Sequence, residues 1–268
     1  MRRLDSLRAS SAPAAVFFDA VHTLFDLHPS FAGAFSQICG DFGYRIELER
    51  FEAVMKPMLR EVEQQARAAD SHPCSHESLV AHWMEFNRRV FRGVGIDGDI
   101  EALAHEVERR FDSGQYAYVY PASFEVLERV RALGVVTGIL SNGTLGMENC
   151  LRVLGLAERV DVVLVSAALG YEKPDAQVFR LAEEAVGFAA SHCFLVGDNF
   201  WADVAGARRA GWRTAWYNPE GRALPEPAEM INRLEDFPAL VERWVSTLPG
   251  PAGSKHRRRR TASPRREQ

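Results

Sequence analysis

Residues 14–19, AAVFFD, are an apolar run closed by an acid. Such a run reads as a strand buried on both faces that delivers its one polar residue to the carboxyl end. Four later runs follow the same plan: VVTGILS at 135–141, VDVVLVS at 160–166, HCFLVGD at 192–198 and RTAWYN at 213–218. Helical patterns separate them, at 121–133, 144–155, 174–187 and 201–210, the last closed by Gly211. Strand and helix alternating in this order predict an α/β fold, a Rossmann-like parallel sheet core with helices on both faces.

Residues 28–117 break the alternation. Long amphipathic segments lie near 30–42, 47–69, 75–93 and 99–113, with no convincing strand among them. They predict an inserted α-helical cap domain that packs over the carboxyl ends of the strands, the edge at which open α/β sheets bind ligands. The expected plan is a flexible N-terminus over 1–13, a core built from 14–27 and 118–249, a helical cap over 28–117 and a disordered basic tail over 250–268.

With 268 residues, 47% of them apolar and 25% charged, the chain suits one globular domain carrying a sizeable insertion and excludes disorder throughout. Cys39, Cys74, Cys150 and Cys193 are far apart and form no Cys-x-x-Cys pair. Neither a disulfide framework nor a cysteine-based zinc site is expected, and a reducing, cytoplasmic setting fits. No apolar run approaches the roughly 18 residues of a membrane span, and the opening MRRLDSLRASSAPAA has no apolar stretch behind its arginines, so no membrane partner and no secretory signal are expected.

Charge is divided unevenly. In the tail GPAGSKHRRRRTASPRREQ seven lysines and arginines face only Glu267, a net +6, so the −4 of the whole chain leaves −10 on residues 1–249. An acidic body argues against a nucleic-acid enzyme; nucleic acid remains a partner only for nonspecific contact through the tail.

The ends of the strands and the loops after them carry polar groups: Asp19 with Thr23, Ser141 with Asn142, Lys173, and Asp198 with Asp203. The blocks FFDAVHTLF at 17–25, ILSNGT at 139–144, GYEKPDAQVF at 170–179 and VGDNFWADVAGARRAGW at 196–212 resemble, in this order and spacing, the haloacid dehalogenase-like hydrolase superfamily across about residues 14–218. That resemblance implies a Mg²⁺-dependent phosphatase acting on a small phosphorylated substrate. Asp19 would be the nucleophile that forms an aspartyl-phosphate. Mg²⁺ would be held by Asp19, the backbone carbonyl of Val21 and Asp198, with Asp203 and Thr23 in support. Ser141, Asn142 and Lys173 would bind the phosphoryl group, the lysine offsetting its charge and that of Asp19.

Each residue also has a plainer reading. Asp19 could cap a turn, Asp198 could cap the helix near 201, Ser141 could mark a turn, and Lys173, ahead of Pro174, could be an exposed residue at a helix start. Three converging carboxylates would repel one another unless a metal or protons neutralised them.

The chain departs from the family pattern at Val21, where phosphatases of the superfamily usually carry a second Asp as general acid and base; its loss typically costs about 10²- to 10⁴-fold in rate. His22 follows it, one residue out of register for that task; His28, His72, His76 and His82 are more distant candidates. A 2-haloacid dehalogenase is the alternative enzyme, because a halide leaves without a proton, and a noncatalytic member that binds a phosphorylated ligand is a third reading. Phosphonate hydrolysis would need a cap lysine, and Lys56 is the only one there. Phe31, Phe35, Trp83 and Phe86 are expected to be cap core rather than substrate contacts.

Overall fold

The computed structural model describes residues 12–69 and 71–249. The expected basic tail and most of the expected flexible N-terminus, residues 1–11, lie outside the described residues.

β1 (Ala15–Phe18) is buried along its whole length and alternates its side chains between two cores. Val16 and Phe18 pack with Phe194, Phe237 and Trp244 on one face. Ala15 and Phe17 pack with Leu140, Phe179 and Trp212 on the other. This period of two with both sets apolar is the reason the segment reads as an uninterrupted apolar run. β1 pairs in parallel with β4 (Val136–Ser141) on one side and β6 (Cys193–Gly197) on the other. β5 (Val162–Val165), β7 (Arg213–Tyr217) and β8 (Met230–Ile231) complete a six-stranded parallel sheet of order β5-β4-β1-β6-β7-β8. The chain builds outward from β1 to β5 and then returns to β6 on the opposite side. The carboxyl ends of β1 and β6 therefore meet at the switch point, where such sheets leave a crevice.

The insertion is bracketed by a two-stranded antiparallel ribbon that sequence pattern did not indicate: β2 (Phe25–Leu27) pairs with β3 (Ala117–Val119). Between them lie α1 (Phe31–Asp41), α2 (Leu48–Ala68), α3 (His76–Gly93) and α4 (Ile100–Asp112), within a residue or two of the expected segments. They enclose a hydrophobic cluster of their own that includes Phe35 and Phe86, with Phe31 and Trp83 packed against it. Those four aromatics are therefore core of the insertion.

Glu108 on α4 is tucked into that helical unit, where it accepts a 2.9 Å hydrogen bond from the buried amide of Asn87. Burial, reinforced by Asp112 and opposed by Asn87, pushes its carboxyl up to about 7. A raised folded-state value means the favourable contribution is full below the unfolded value and is lost as pH rises through about 7. Glu108→Gln is accordingly expected to match the parent in acid and to exceed it in stability on the alkaline side, by roughly 3 kcal/mol. Thermal midpoints across pH check this; parallel curves for the two proteins would refute it.

The remaining core helices are α5 (Ser123–Ala132), α6 (Gly146–Val153), the short α7 (Ser166–Leu169), α8 (Ala176–Val186), α9 (Gly206–Arg209) and α10 (Phe237–Thr247). The pattern at 201–210 corresponds to a π-helical turn, Phe200–Ala205, running into α9 rather than to one α-helix. The wider turn lets Asp203 reach back beneath the end of β6 while the apolar side chains of Phe200, Val204 and Ala205 stay buried. No described helix is long and apolar enough to cross a membrane.

Candidate active site

Asp19 is the first residue past β1, and its amide still donates to Val196 O of β6 at 2.9 Å. The sheet thus holds its backbone while its carboxylate leaves the carboxyl edge. Thr23 donates to Asp19 Oδ2 at 3.3 Å from the turn that follows.

Lys173 lies 154 positions along the chain from Asp19 and yet donates to Asp19 Oδ1 at 2.6 Å. Its other donors go to Asp203 Oδ1 at 2.7 Å and Leu140 O at 2.8 Å. The side chain is 2% exposed, so the reading as an exposed helix-start lysine does not hold. Taking an ammonium out of water is costly, and it stays charged only where its three N–H groups and its charge are matched. Burial works against its charge, but Asp19 and Asp203 outweigh it and hold its pKa above the ordinary lysine value.

Pro174 does not open the helix. Asp175 is the N-cap of α8, its carboxylate accepting from Gln177 N at 2.8 Å, because a carboxylate satisfies an otherwise orphaned amide there better than a ring that lacks N–H.

Asp198 and Asp203 complete the cluster. One carboxylate oxygen from each of Asp19, Asp198 and Asp203 falls within 4.8 Å of the others. The cap of the π-helical turn is Asn199, whose side chain accepts from Trp201 N and Ala202 N at 3.1 Å, so the alternative of Asp198 as N-cap is removed. Asp203 is 1% exposed and accepts from Asn199 N at 3.0 Å through Oδ2, leaving Oδ1 to Lys173. Burial first, then the charges of Asp19 and Asp203, push the Asp198 carboxyl up to about 8 against the opposing pull of Arg222 and Lys173.

Fully ionised, the three carboxylates would outnumber the one buried ammonium by two charges, and the raised Asp198 carboxyl reflects that crowding. Oxygen donors with that surplus suit a hard divalent cation such as Mg²⁺, so the residues present fit the metal implied by the sequence motifs.

Ser141 and Asn142 lie at the end of β4 beside this cluster. Ser141 is buried, its hydroxyl 3.3 Å from the carbonyl of Asn142. Asn142 is a brace: its amide donates to Lys173 O at 2.8 Å and its oxygen accepts from Lys173 N at 2.8 Å, so both side-chain groups are used on the lysine backbone. Val21 occupies the turn after β1, bridged to Phe25.

The histidines have other engagements. His22, at φ 60°, sets Nδ1 2.9 Å from Asp26 Oδ1, and Tyr120 donates to the other oxygen of Asp26 at 3.0 Å. His72 Nε2 contacts Ala66 O at 2.6 Å, His76 accepts from Leu145 N at 3.3 Å, His28 lies 6.3 Å from the Tyr118 ring and His82 stands edge-on to Trp83. Lys56 is exposed on α2.

Arg222 was not foreseen. It donates to Asp198 O at 3.0 Å, comes within 3.9 Å of Asp198 Oδ2 and lies over the Trp216 ring. Its segment, residues 218–228, has no periodicity that would have marked it.

Fold and site together place an acidic cluster and a buried lysine at the carboxyl edge of a Rossmann-like parallel sheet. The chain belongs to the haloacid dehalogenase-like hydrolases, whose family model matches residues 13–211. It is 36% identical over 143 residues to a phosphoserine phosphatase of Thermus thermophilus, a match spanning 52% of this chain and 57% of that protein. It is 31% identical over 214 residues to a ribulose-1,5-bisphosphate 5-phosphatase of Halopiger xanaduensis, covering 76% and 84%. Among solved structures, a 2-haloacid dehalogenase of Pseudomonas syringae superposes with a TM-score of 0.60 at 26% identity, over 86% of this chain and 99% of that one.

Proposed function

We propose that this protein is a Mg²⁺-dependent phosphomonoesterase for a small phosphorylated metabolite, with Asp19 as nucleophile and the helical insertion as the cap over its site. The observation that carries the reading is the surplus of negative charge around Lys173. Dehalogenation needs one carboxylate nucleophile, and Asp203 is already matched by Lys173, whereas Asp198 adds a carboxylate beside Asp19 that the lysine does not bond and that a cation would balance. The phosphatases of Thermus and Halopiger named above favour the same chemistry.

In this reading Asp19, the Val21 carbonyl and Asp198 hold the metal, with Asp203 and Thr23 in support. When bound, Mg²⁺ supplies positive charge between two anions that would otherwise repel. Lys173 orients Asp19 and balances charge on the phosphoryl group. Ser141 and the turn that begins at Asn142 face the phosphoryl oxygens, while Asn142 fixes the lysine backbone. Asp19 attacks phosphorus, the P–O bond to the leaving group breaks with the departing oxygen taking a proton from solvent, and water later cleaves the aspartyl-phosphate to inorganic phosphate and free Asp19.

The structural likeness to a 2-haloacid dehalogenase, together with Val21 in place of an acid, keeps halide release as the second reading. One assay separates them: phosphate and halide release from panels of small substrates, with Mg²⁺ and with EDTA. Phosphate release that EDTA abolishes is the expected result. Halide release indifferent to EDTA would replace the proposal with the dehalogenase, and neither product with the noncatalytic binder.

A further inference from the structure

The insertion meets the core along a short strap. Residues 71–74, between α2 and α3, lie along 170–172, the approach to Lys173. Cys74 N donates to Gly170 O at 2.9 Å, Glu172 N donates to His72 O at 3.0 Å, and Pro73 and Tyr171 form an antiparallel bridge between them. The strap thus adds to this loop as a short edge strand would.

Two donors of the strap then converge beyond the lysine. Ser71 Oγ donates to Asp175 Oδ2 at 2.6 Å, and His72 N donates to the same oxygen at 2.8 Å. Burial alone would raise the Asp175 pKa, but the donors from Ser71, Gln177 and His72 prevail and hold it below the ordinary aspartate value. Hydrogen bonds to an ionised carboxylate are roughly twice as strong as neutral ones. Lys173 therefore sits between two residues, Glu172 and Asp175, that the insertion holds from outside. Among the described residues, Asn142 alone grips its backbone by a hydrogen bond from the core.

We propose that Ser71 and His72 are positioning residues for Lys173: the insertion, docked through this strap, sets the place of the ammonium beside Asp19. The inference rests on the reading of Asp19 and Lys173 as the working pair. Neither strap residue touches the reacting atoms in this scheme; both act through the loop. A shift of about 1 Å in a catalytic group can cost 10²-fold in rate, so a loop held on one side only is a kinetic defect before it is a folding defect.

The test uses the full chain, any substrate it turns over, and Ser71→Ala, which removes one donor and leaves the backbone ladder. We expect kcat to fall about tenfold with KM held within about twofold, and Ser71→Thr, which keeps the hydroxyl, to restore it. The thermal midpoint should fall by only about 3 to 6 °C, leaving the protein folded at the assay temperature, since the bond is a small part of total stability. In a Lys173→Met background Ser71→Ala should add no further loss, because the residue through which it acts is gone. Hydrogen exchange at the Glu172 amide, which needs no activity and no fold perturbation at Lys173, should quicken in Ser71→Ala.

Unchanged kcat together with unchanged Glu172 exchange would overturn the proposal, as would a Ser71→Ala loss that persists in full beside Lys173→Met. If Lys173→Met alone leaves kcat intact, the reading of the site itself fails. Exchange at Glu172 still decides whether Ser71 holds the loop.

Discussion

Asp19→Asn is expected to lose turnover by about 10⁴-fold or more while remaining folded. The amide is nearly isosteric with the carboxylate: its one oxygen can still accept from Lys173, now 2.6 Å from Oδ1, and its NH2 group can donate to the Thr23 hydroxyl, now 3.3 Å from Oδ2. What disappears is the negative oxygen that attacks phosphorus. The same charge also repels Asp198 and Asp203. Its removal leaves Lys173 paired with Asp203, so the metal-free variant should melt no lower than the parent and should show less of the upward shift at Asp198. Rates at saturating substrate and paired melting curves check both halves. Near-parental turnover would end the assignment of Asp19 as nucleophile, and a large drop in melting point would show that the three carboxylates are not in net repulsion.

The strands that were legible in sequence are those buried on both faces. β1, β4, β5, β6 and β7 appear as apolar runs because parallel strands between two helical layers have no polar side to show. The four helices of the insertion were legible for the complementary reason, since each buries one stripe against its neighbours. β2, β3 and β8 are only two or three residues long and partly exposed, and a pattern of period two cannot be distinguished over so short a span. The π-helical turn escaped because a single extra residue in a helical turn does not alter the surrounding apolar pattern. At the site, polar residues at strand ends pointed to Asp19 and Asp198, but their partners depend on distance in space. That Lys173 would lie between Asp19 and Asp203, that Asn142 would be consumed by the lysine backbone, and that Arg222 would reach Asp198 are consequences of how loops 24 and more residues apart are brought together. No local pattern encodes them.

Gly197→Ala should be the most damaging single methyl that can be added near the site. A Cβ at Gly197 would stand 2.2 Å from Asp203 Oδ2, 2.4 Å from its Cγ and 2.7 Å from its Cβ. Asp203 has nowhere to withdraw: it is 1% exposed, belongs to the π-helical turn, and spends its oxygens on Lys173 and Asn199. β6 cannot move away either, being paired with β1 and β7. The methyl must displace the carboxylate, which breaks a buried ion pair and frees Lys173 from its second anion. Breaking such a pair and overpacking its surroundings together predict a loss of about 3 kcal/mol or more, with activity falling at least about 10²-fold. The cause can be isolated by adding Asp203→Ala. If the clash is with that side chain, the double variant will be more stable than the sum of the two single losses implies. Strict additivity would locate the damage in the strand, and the close approach of Gly197 to Asp203 would then be incidental to the site.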